Sequence, residues 1–259
     1  MSASKTEPTN LDILAIAAHR DDVEQTCGGT LLKMAQQGRR TGILDLTRGE
    51  MGTRGTAADR EREASEAARL LRVAWREACD IADGRVENTW VNRLKVARVI
   101  RRMHPRVVIL PYWKGRHPDH YTCSTLGYEA CFLAGLKKLE IANRLRDEGV
   151  KAEAEDELAP HRPFKIIYAT LYYDVRPSFV VDISEQFETR FASLMAYRSQ
   201  FEDQEAGSEL FPAQQEIRDR IHSMARFYGM MAGVKYAEPF LQKEVGLVEN
   251  LLDIPVQSI

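Results

Sequence analysis

Two short stretches carry residues that can do chemistry together: His19-Arg20-Asp21-Asp22 and His117-Pro118-Asp119-His120. Both join imidazoles to carboxylates, which zinc accepts as ligands, and a catalytic zinc site keeps one position open for water. His19 and Asp22 are three apart, so a turn leaving a strand aims both at one point. His120, from a distant loop, completes a set of two histidines and one carboxylate. Asp21 stands beside a ligand and is free to act as general base on a water whose pKa the metal lowers. His117, when protonated, can stabilise an oxyanion and hand a proton to a leaving amine. Asp119 is expected to hold the His117 ring, as carboxylates behind metal sites do. A lone histidine at a strand end is ordinarily packing or loop polarity, whereas two clusters of this composition at equivalent positions point to a site. The set contains what an amide hydrolase requires: Lewis acid, activated water, base and acid.

Both clusters follow apolar runs, Leu11 to Ala18 and Val107 to Pro111. The first run reads as a strand buried on both faces. Gly28 to Gly38 reads as a helix closed by Gly38, and Thr41 to Thr47 as a second strand, together a βαβ unit. A polar, glycine-rich loop, Thr47 to Ala58, leads to a helix on which Ala64, Ala67, Ala68 and Leu71 recur. Thr56 and Asp59 have the spacing of a capping box. Arg60 and Arg62 then fall in the first turn, where a cation opposes the helix dipole. Arg60 either faces an anionic partner or is a solvated surface residue.

Further along, Glu77 to Ala82 reads as a short strand closed by Asp83-Gly84, Val91 to Met103 as an amphipathic helix and Val107 to Pro111 as a fourth strand. Tyr121 to Leu145 is predicted helical and Asp147 to Leu158 a solvated acidic loop. Phe164 to Asp174 and Phe179 to Asp182 are predicted strands joined through Val175-Arg176-Pro177, and Glu185 to Phe201 and Gln214 to Tyr228 helices. The tail from Tyr236 gives mixed signals. Alternating strands and helices predict an α/β fold, a mainly parallel open sheet with helices on both faces. Ligands bind beyond the carboxyl ends of such strands, where both clusters sit. No repeat, low-complexity segment or linker divides residues 1–259, which are expected to form a single domain.

The chain is long enough for a core without disulfides. A net charge of −2 gives no reason to expect nucleic acid or membrane as partner. The apolar runs are strand-sized, and the polar start lacks the apolar core of a signal peptide. Cys27, Cys79, Cys123 and Cys131 are widely spaced, which predicts reduced thiols in a cytoplasmic protein. Cys27 and Cys123 are expected to be inert packing residues. His104, His161 and His222 lack acidic company and are expected to be ordinary hydrogen-bonding residues. Glu50 and Arg54 are candidates to touch a substrate from the loop or are solvated there, Arg176 either reaches the site from between two strands or lies on the surface, and Tyr236 packs near the site or in the core. Three rival readings use part of the same pattern. A phosphorelay receiver also pairs acids after its first strand but binds magnesium through oxygen and has no use for the histidines. A non-haem iron oxygenase shares the donor set but usually builds it in an all-β barrel. A non-catalytic metal binder has no use for Asp21.

The stretches AHRDDVEQTCGGTL and RHPDH resemble the PIG-L/LmbE-like family of zinc-dependent N-acetylglucosaminyl deacetylases, and the likeness extends through LTRGEMGTRGT, DREREA, PSFVVDIS and ARFYGMMAGVKYAEPF. Within that family the chain looks most like the deacetylases of bacillithiol biosynthesis. The resemblance implies a Rossmann-like fold and one zinc ion per chain, held by His19, Asp22 and His120. It implies Asp21 as base, and His117, oriented by Asp119, as electrostatic and acid partner. It implies Arg60 as a contact to the carboxylates of N-acetylglucosaminyl malate, and a homo-oligomer. Arg20 departs from the pattern, where proline or a small residue is usual; it is expected to point outward as a solvated side chain, the alternatives being a contact to an acidic substrate or a weakening of the zinc-bound carboxylates.

Overall fold

The computed structural model describes residues 10–152, 158–170, 173–202 and 212–256. From the N-terminal side come β1 (Ile13–Ala17), α1 (Asp22–Thr26), α2 (Gly28–Gln36), β2 (Thr41–Asp45), α3 (Ala57–Leu70) and β3 (Trp75–Ala78). Then follow α4 (Trp90–Met103), β4 (Val107–Pro111), α5 (Pro118–Ala134), α6 (Ile141–Asp147) and β5 (Lys165–Ala169). The chain continues through β6 (Phe179–Asp182), α7 (Phe187–Met195), α8 (Arg198–Phe201), α9 (Gln214–Met231) and β7 (Ala237–Leu241).

The strands form one sheet in the order β3-β2-β1-β4-β5-β7-β6. β1 to β5 are parallel, and β7 runs antiparallel to both β5 and β6. This is the α/β, mainly parallel open sheet that the alternation predicts. Alternate residues of β1 serve two cores. Leu14 and Ile16 pack with α4, α5 and α6, while Ile13, Ala15 and Ala17 pack with Val23, Cys27 and Leu31 of the α1–α2 segment. Leu14, Leu44 and Val108 are fully buried, each worth about 1.5–3 kcal/mol of stabilisation. The chain progresses outward in one direction from β1 to β2 and β3, and in the other from β4 to β5. The carboxyl ends of β1 and β4 therefore meet at the switch point where such sheets bind ligands.

Several boundaries differ from those predicted. The expected helix Tyr121 to Leu145 is two helices, because Gly135 ends α5. A side chain at Gly135 would lie 2.6 Å from Arg162 Nε. The apolar period runs on across the break because Ile141, Ala142 and Leu145 join the same core. The third strand is Trp75–Ala78, earlier than expected, and the chain turns away at Asp80, whose φ is 53°. Glu185 to Phe201 divides into α7 and α8. The strand expected over Phe164 to Asp174 is Lys165–Ala169, and residues 171–172 lie outside the described residues, as do 153–157 of the acidic loop. The tail supplies β7, which contains Pro239. Proline is excluded from central strands, but Pro239 lies opposite Val180 on β6, just past the β5 pairs, Tyr168–Leu241 and Ala169–Phe240.

Candidate metal centre and active site

The turn after β1 is closed by its own carboxylate, since the His19 N–H donates to Asp22 Oδ2 at 2.9 Å. Across the switch point α5 starts at Pro118, a favoured first helical residue, with His117 as N-cap. His117 and His120, three apart, fall on one helix face. Three donors converge here. His19 Nδ1 lies 3.2 Å from His120 Nε2 and 3.5 Å from Asp22 Oδ2, and His120 Nε2 lies 3.2 Å from Asp22 Oδ1. Tetrahedral zinc with nitrogen and oxygen ligands sets its ligands about 3.3–3.6 Å apart, so the spacing fits that ion.

The charge balance fits as well. Burial disfavours a charged His19 ring, yet the carboxylates of Asp22 and Asp83 raise its pKa to about 11. Burial also opposes ionisation of Asp22, but the His120 and His19 rings hold its carboxyl well below the usual range. So much negative charge around two imidazoles is what a dication offsets.

The other ring nitrogen of His19 is held by two carboxylates, Asp83 Oδ1 at 3.1 Å and Asp119 Oδ2 at 3.3 Å. They hold the Nε2 proton, so Nδ1 is the nitrogen that would give up its proton to a metal. The Asp119 carboxylate bonds His19 and the N–H groups of Gly84 and Val86, and it lies within 4.8 Å of a His117 ring nitrogen without a hydrogen bond to it among the described residues. The Asp119 backbone is what meets His117, donating N–H to Nδ1 at 3.2 Å. Sequence reasoning misses Asp83 as a site residue. Its one signal there is an aspartate in the loop leaving a parallel strand. The loop after β2 fixes it, because the Met51 N–H donates to Asp83 Oδ2 at 2.9 Å and Glu50 Oε1 accepts the Asp83 N–H at 2.9 Å. Asp83→Asn is expected to weaken metal binding at this cluster by about 10–100-fold, measured by competition with a chromogenic chelator.

The five-residue helix that carries Asp22 is clamped from behind. Arg76 binds Asp45 of β2 through two bonds, at 2.8 and 3.0 Å, and Glu24 of α1 at 2.7 Å. Arg190 donates to the Glu24 carbonyl at 3.1 Å and to that of Gln25. Glu238 of β7 accepts the Gly29 and Thr30 N–H groups at 2.9 and 2.7 Å, a carboxylate at the N-terminus of α2. A Cβ on Gly29 would lie 2.9 Å from that carboxylate.

Asp21 is held by Arg60 Nη2 at 3.1 Å and by Gln25 Nε2 at 3.2 Å. Burial pushes its carboxyl upward against the opposing charge of Arg60. The capping box of Thr56 and Asp59 is present, and the first-turn Arg60 does face an anion. That anion is Asp21, and Arg60 is not among the residues lining the cavity beside the cluster. Arg54 is likewise not at the cavity; it is buried, bonding the Gln200 carbonyl at 3.2 Å. Arg176 is exposed and does not line the cavity. Arg20 is buried, not solvated. Tyr236 packs in a core of α7 and α9, stacked on Phe187. Cys27 and Cys123 are buried, with pKa values pushed up by burial.

A cavity of about 400 Å³ opens beside the cluster. Ala15, Ala17, Ile109 and Ala169 form part of its apolar wall, and Asp22, His117 and His120 face it. Lys114, Arg116 and Arg220 of α9 also line it; all three are exposed. Because Nδ1 of His117 accepts a bond, the donor its neutral ring offers is Nε2–H. Burial and the charges of His19 and His120 push the His117 pKa down, which works against the protonated form that its expected acid role needs.

Residues 14–131 match the family model described as PIG-L: GlcNAc-PI de-N-acetylase. The chain is 31% identical over 237 residues to the diacetylchitobiose deacetylase of Thermococcus kodakarensis, covering 87% of this chain and 80% of that protein. Among solved structures it is similar to a conserved protein of Thermus thermophilus, TT1542, with a TM-score of 0.77, 38% identity and coverage of 92% of this chain and 98% of that one. It is also similar to the N,N'-diacetylchitobiose deacetylase of Pyrococcus horikoshii, with a TM-score of 0.73, 27% identity and coverage of 88% and 82%.

Proposed function

The chain belongs to the PIG-L family, and from that premise we propose that it is a zinc-dependent deacetylase that hydrolyses the N-acetyl group of an N-acetylglucosaminide. The observation that carries this reading is the convergence of His19 Nδ1, Asp22 and His120 Nε2 at the spacing of zinc ligands, on the wall of the cavity. The named relatives, diacetylchitobiose deacetylases, support it. When bound to His19, Asp22 and His120, a zinc ion supplies Lewis acidity and makes water easier to deprotonate.

The chain's own groups do the rest. Asp21, fixed by Arg60 and Gln25, takes a proton from the attacking water and returns it to the leaving nitrogen. The amide C–N bond breaks to acetate and free amine with protons in balance. His117, whose Nδ1 is occupied, offers Nε2–H to the carbonyl oxygen as charge builds there. Asp83 and Asp119 hold the His19 ring in the tautomer the metal needs.

The finer reading is that the substrate is N-acetylglucosaminyl malate, hydrolysed to glucosaminyl malate in bacillithiol biosynthesis. Lys114, Arg116 and Arg220 on the cavity wall support it, since cations there suit a dicarboxylate. Arg220→Gln is expected to raise KM for that substrate about tenfold with kcat unchanged, the sign of lost uniform binding. Free-amine release measured across N-acetylglucosaminyl malate, diacetylchitobiose and a mycothiol-type glycoside tests both levels. Release from none of them rejects the deacetylase reading. Equal rates on all three reject only the malate assignment. The enzyme is proposed to work in the cytoplasm, with neither nucleic acid nor membrane as partner. No helix among the described residues is long and apolar enough to cross a membrane. It is proposed to be a homo-oligomer, supported by aliphatic side chains exposed along its tail, Val245, Leu247, Leu251 and Leu252.

A further inference from the structure

Arg20 sits between two residues of the site, yet the steps above do not use it. Its side chain is 5% exposed and poorly matched. Nη1 donates to the Ala57 carbonyl at 3.4 Å, Nη2 lies 4.0 Å from the Glu61 carboxylate, and Nε has no partner among the described residues. A guanidinium offers five donors and is costly to bury unless they are used. A long arginine can ordinarily bring its head to water. Here it is held inward, and both contacts go to the start of one helix, α3.

That helix also carries Arg60, which reaches back to Asp21. Consecutive residues of the first motif thus meet α3 in opposite directions: Arg20 reaches out to it and Asp21 is reached from it. The segment before α3 is itself anchored on α8, where Arg54 and Gln200 bond each other's carbonyls. It is rich in glycine, with Gly49 and Gly55 at φ values of 71° and 70°. Gly49 packs on the Arg60 guanidinium, 3.3 Å from where a Cβ would stand. Glu63 likewise binds the N–H and hydroxyl of Ser199 at 2.7 Å, again on the side of α8. On the side of the reaction α3 is tied by Arg60 to Asp21 and by Arg20.

We infer that Arg20 is a positioning residue: it pins the first turn of α3 to the motif loop, so that Arg60 presents the Asp21 carboxylate at a fixed angle. This rests on Asp21 being the base of the proposed deacetylase.

Arg20→Met removes the bonds and keeps the bulk. It is expected to lower kcat about 10–100-fold, the scale of a small misplacement near the reacting atoms, with KM held within about twofold and zinc content unchanged. Amide hydrogen exchange over Ala57 to Glu61 should accelerate, in metal-free protein as well as loaded. Arg20→Lys, which keeps length and charge, should recover much of both. Wild-type kcat in Arg20→Met, or a lower melting temperature with neither kcat nor exchange altered, overturns the inference. Arg20→Gln repeats the test, with the same two outcomes, should the methionine variant not fold. If the wild-type enzyme releases no amine from any glycoside, the deacetylase reading fails, and the exchange measurement still decides whether Arg20 tethers α3.

Discussion

Asparagine at position 21 is expected to reduce amide hydrolysis by about 10²–10⁴-fold, the usual worth of a positioned general base, while zinc content stays at the wild-type level. The separation follows from the geometry. The convergent donors belong to His19, Asp22 and His120, and Asp21 is turned toward Arg60 and Gln25. An amide there keeps the shape and one acceptor for Arg60 but cannot take a proton. Free-amine release alongside metal analysis of the same sample reads both halves. Turnover equal to wild type would remove Asp21 from the chemistry, and loss of zinc in step with activity would make it a ligand.

Removing a ligand has a different signature. His120→Ala is expected to lose zinc and activity together, by more than the about hundredfold ceiling seen when only an outer partner is changed. His120 is the one donor from across the switch point, since His19 and Asp22 both come from the turn after β1. Without it two ligands remain, fewer than the three a catalytic zinc site uses. The fold should survive, because the His120 ring lies in the site and not in the apolar clusters. The check is zinc stoichiometry after dialysis against a weak chelator, with circular dichroism to show the helices intact. Full zinc retention in His120→Ala would mean the metal is held elsewhere.

The site is legible where its chemistry is local in sequence. The turn from His19 to Asp22 is three residues long, and Pro118 sets His117 and His120 on one face of a helix start. Short-range geometry of that kind survives any error about the rest of the fold. What the sequence hides depends on which loops become neighbours. Asp119 lies between the two histidines in sequence, but its carboxylate bonds His19 and the loop after β3, at Gly84 and Val86. Asp83 reaches His19 past the intervening β2, a proximity fixed by strand order and loop path rather than by pattern. Substrate is the expected anionic partner of Arg60 because nothing in the sequence shows that α3 folds back on the first motif. The burial of Arg20 is hidden for the same reason, and that of Arg54 because α8 packs against its loop. The antiparallel β7 is masked by Pro239, whose position is permissible only because the β5 pairing stops one residue short of it.

All of this turns on a cation at one point, and diffraction from zinc-loaded crystals on both sides of the zinc absorption edge addresses it most directly. The account predicts a single anomalous peak per chain, about 2.0–2.2 Å from His19 Nδ1, His120 Nε2 and a carboxylate oxygen of Asp22. A fully loaded protein whose peak lies away from those three atoms would contradict it.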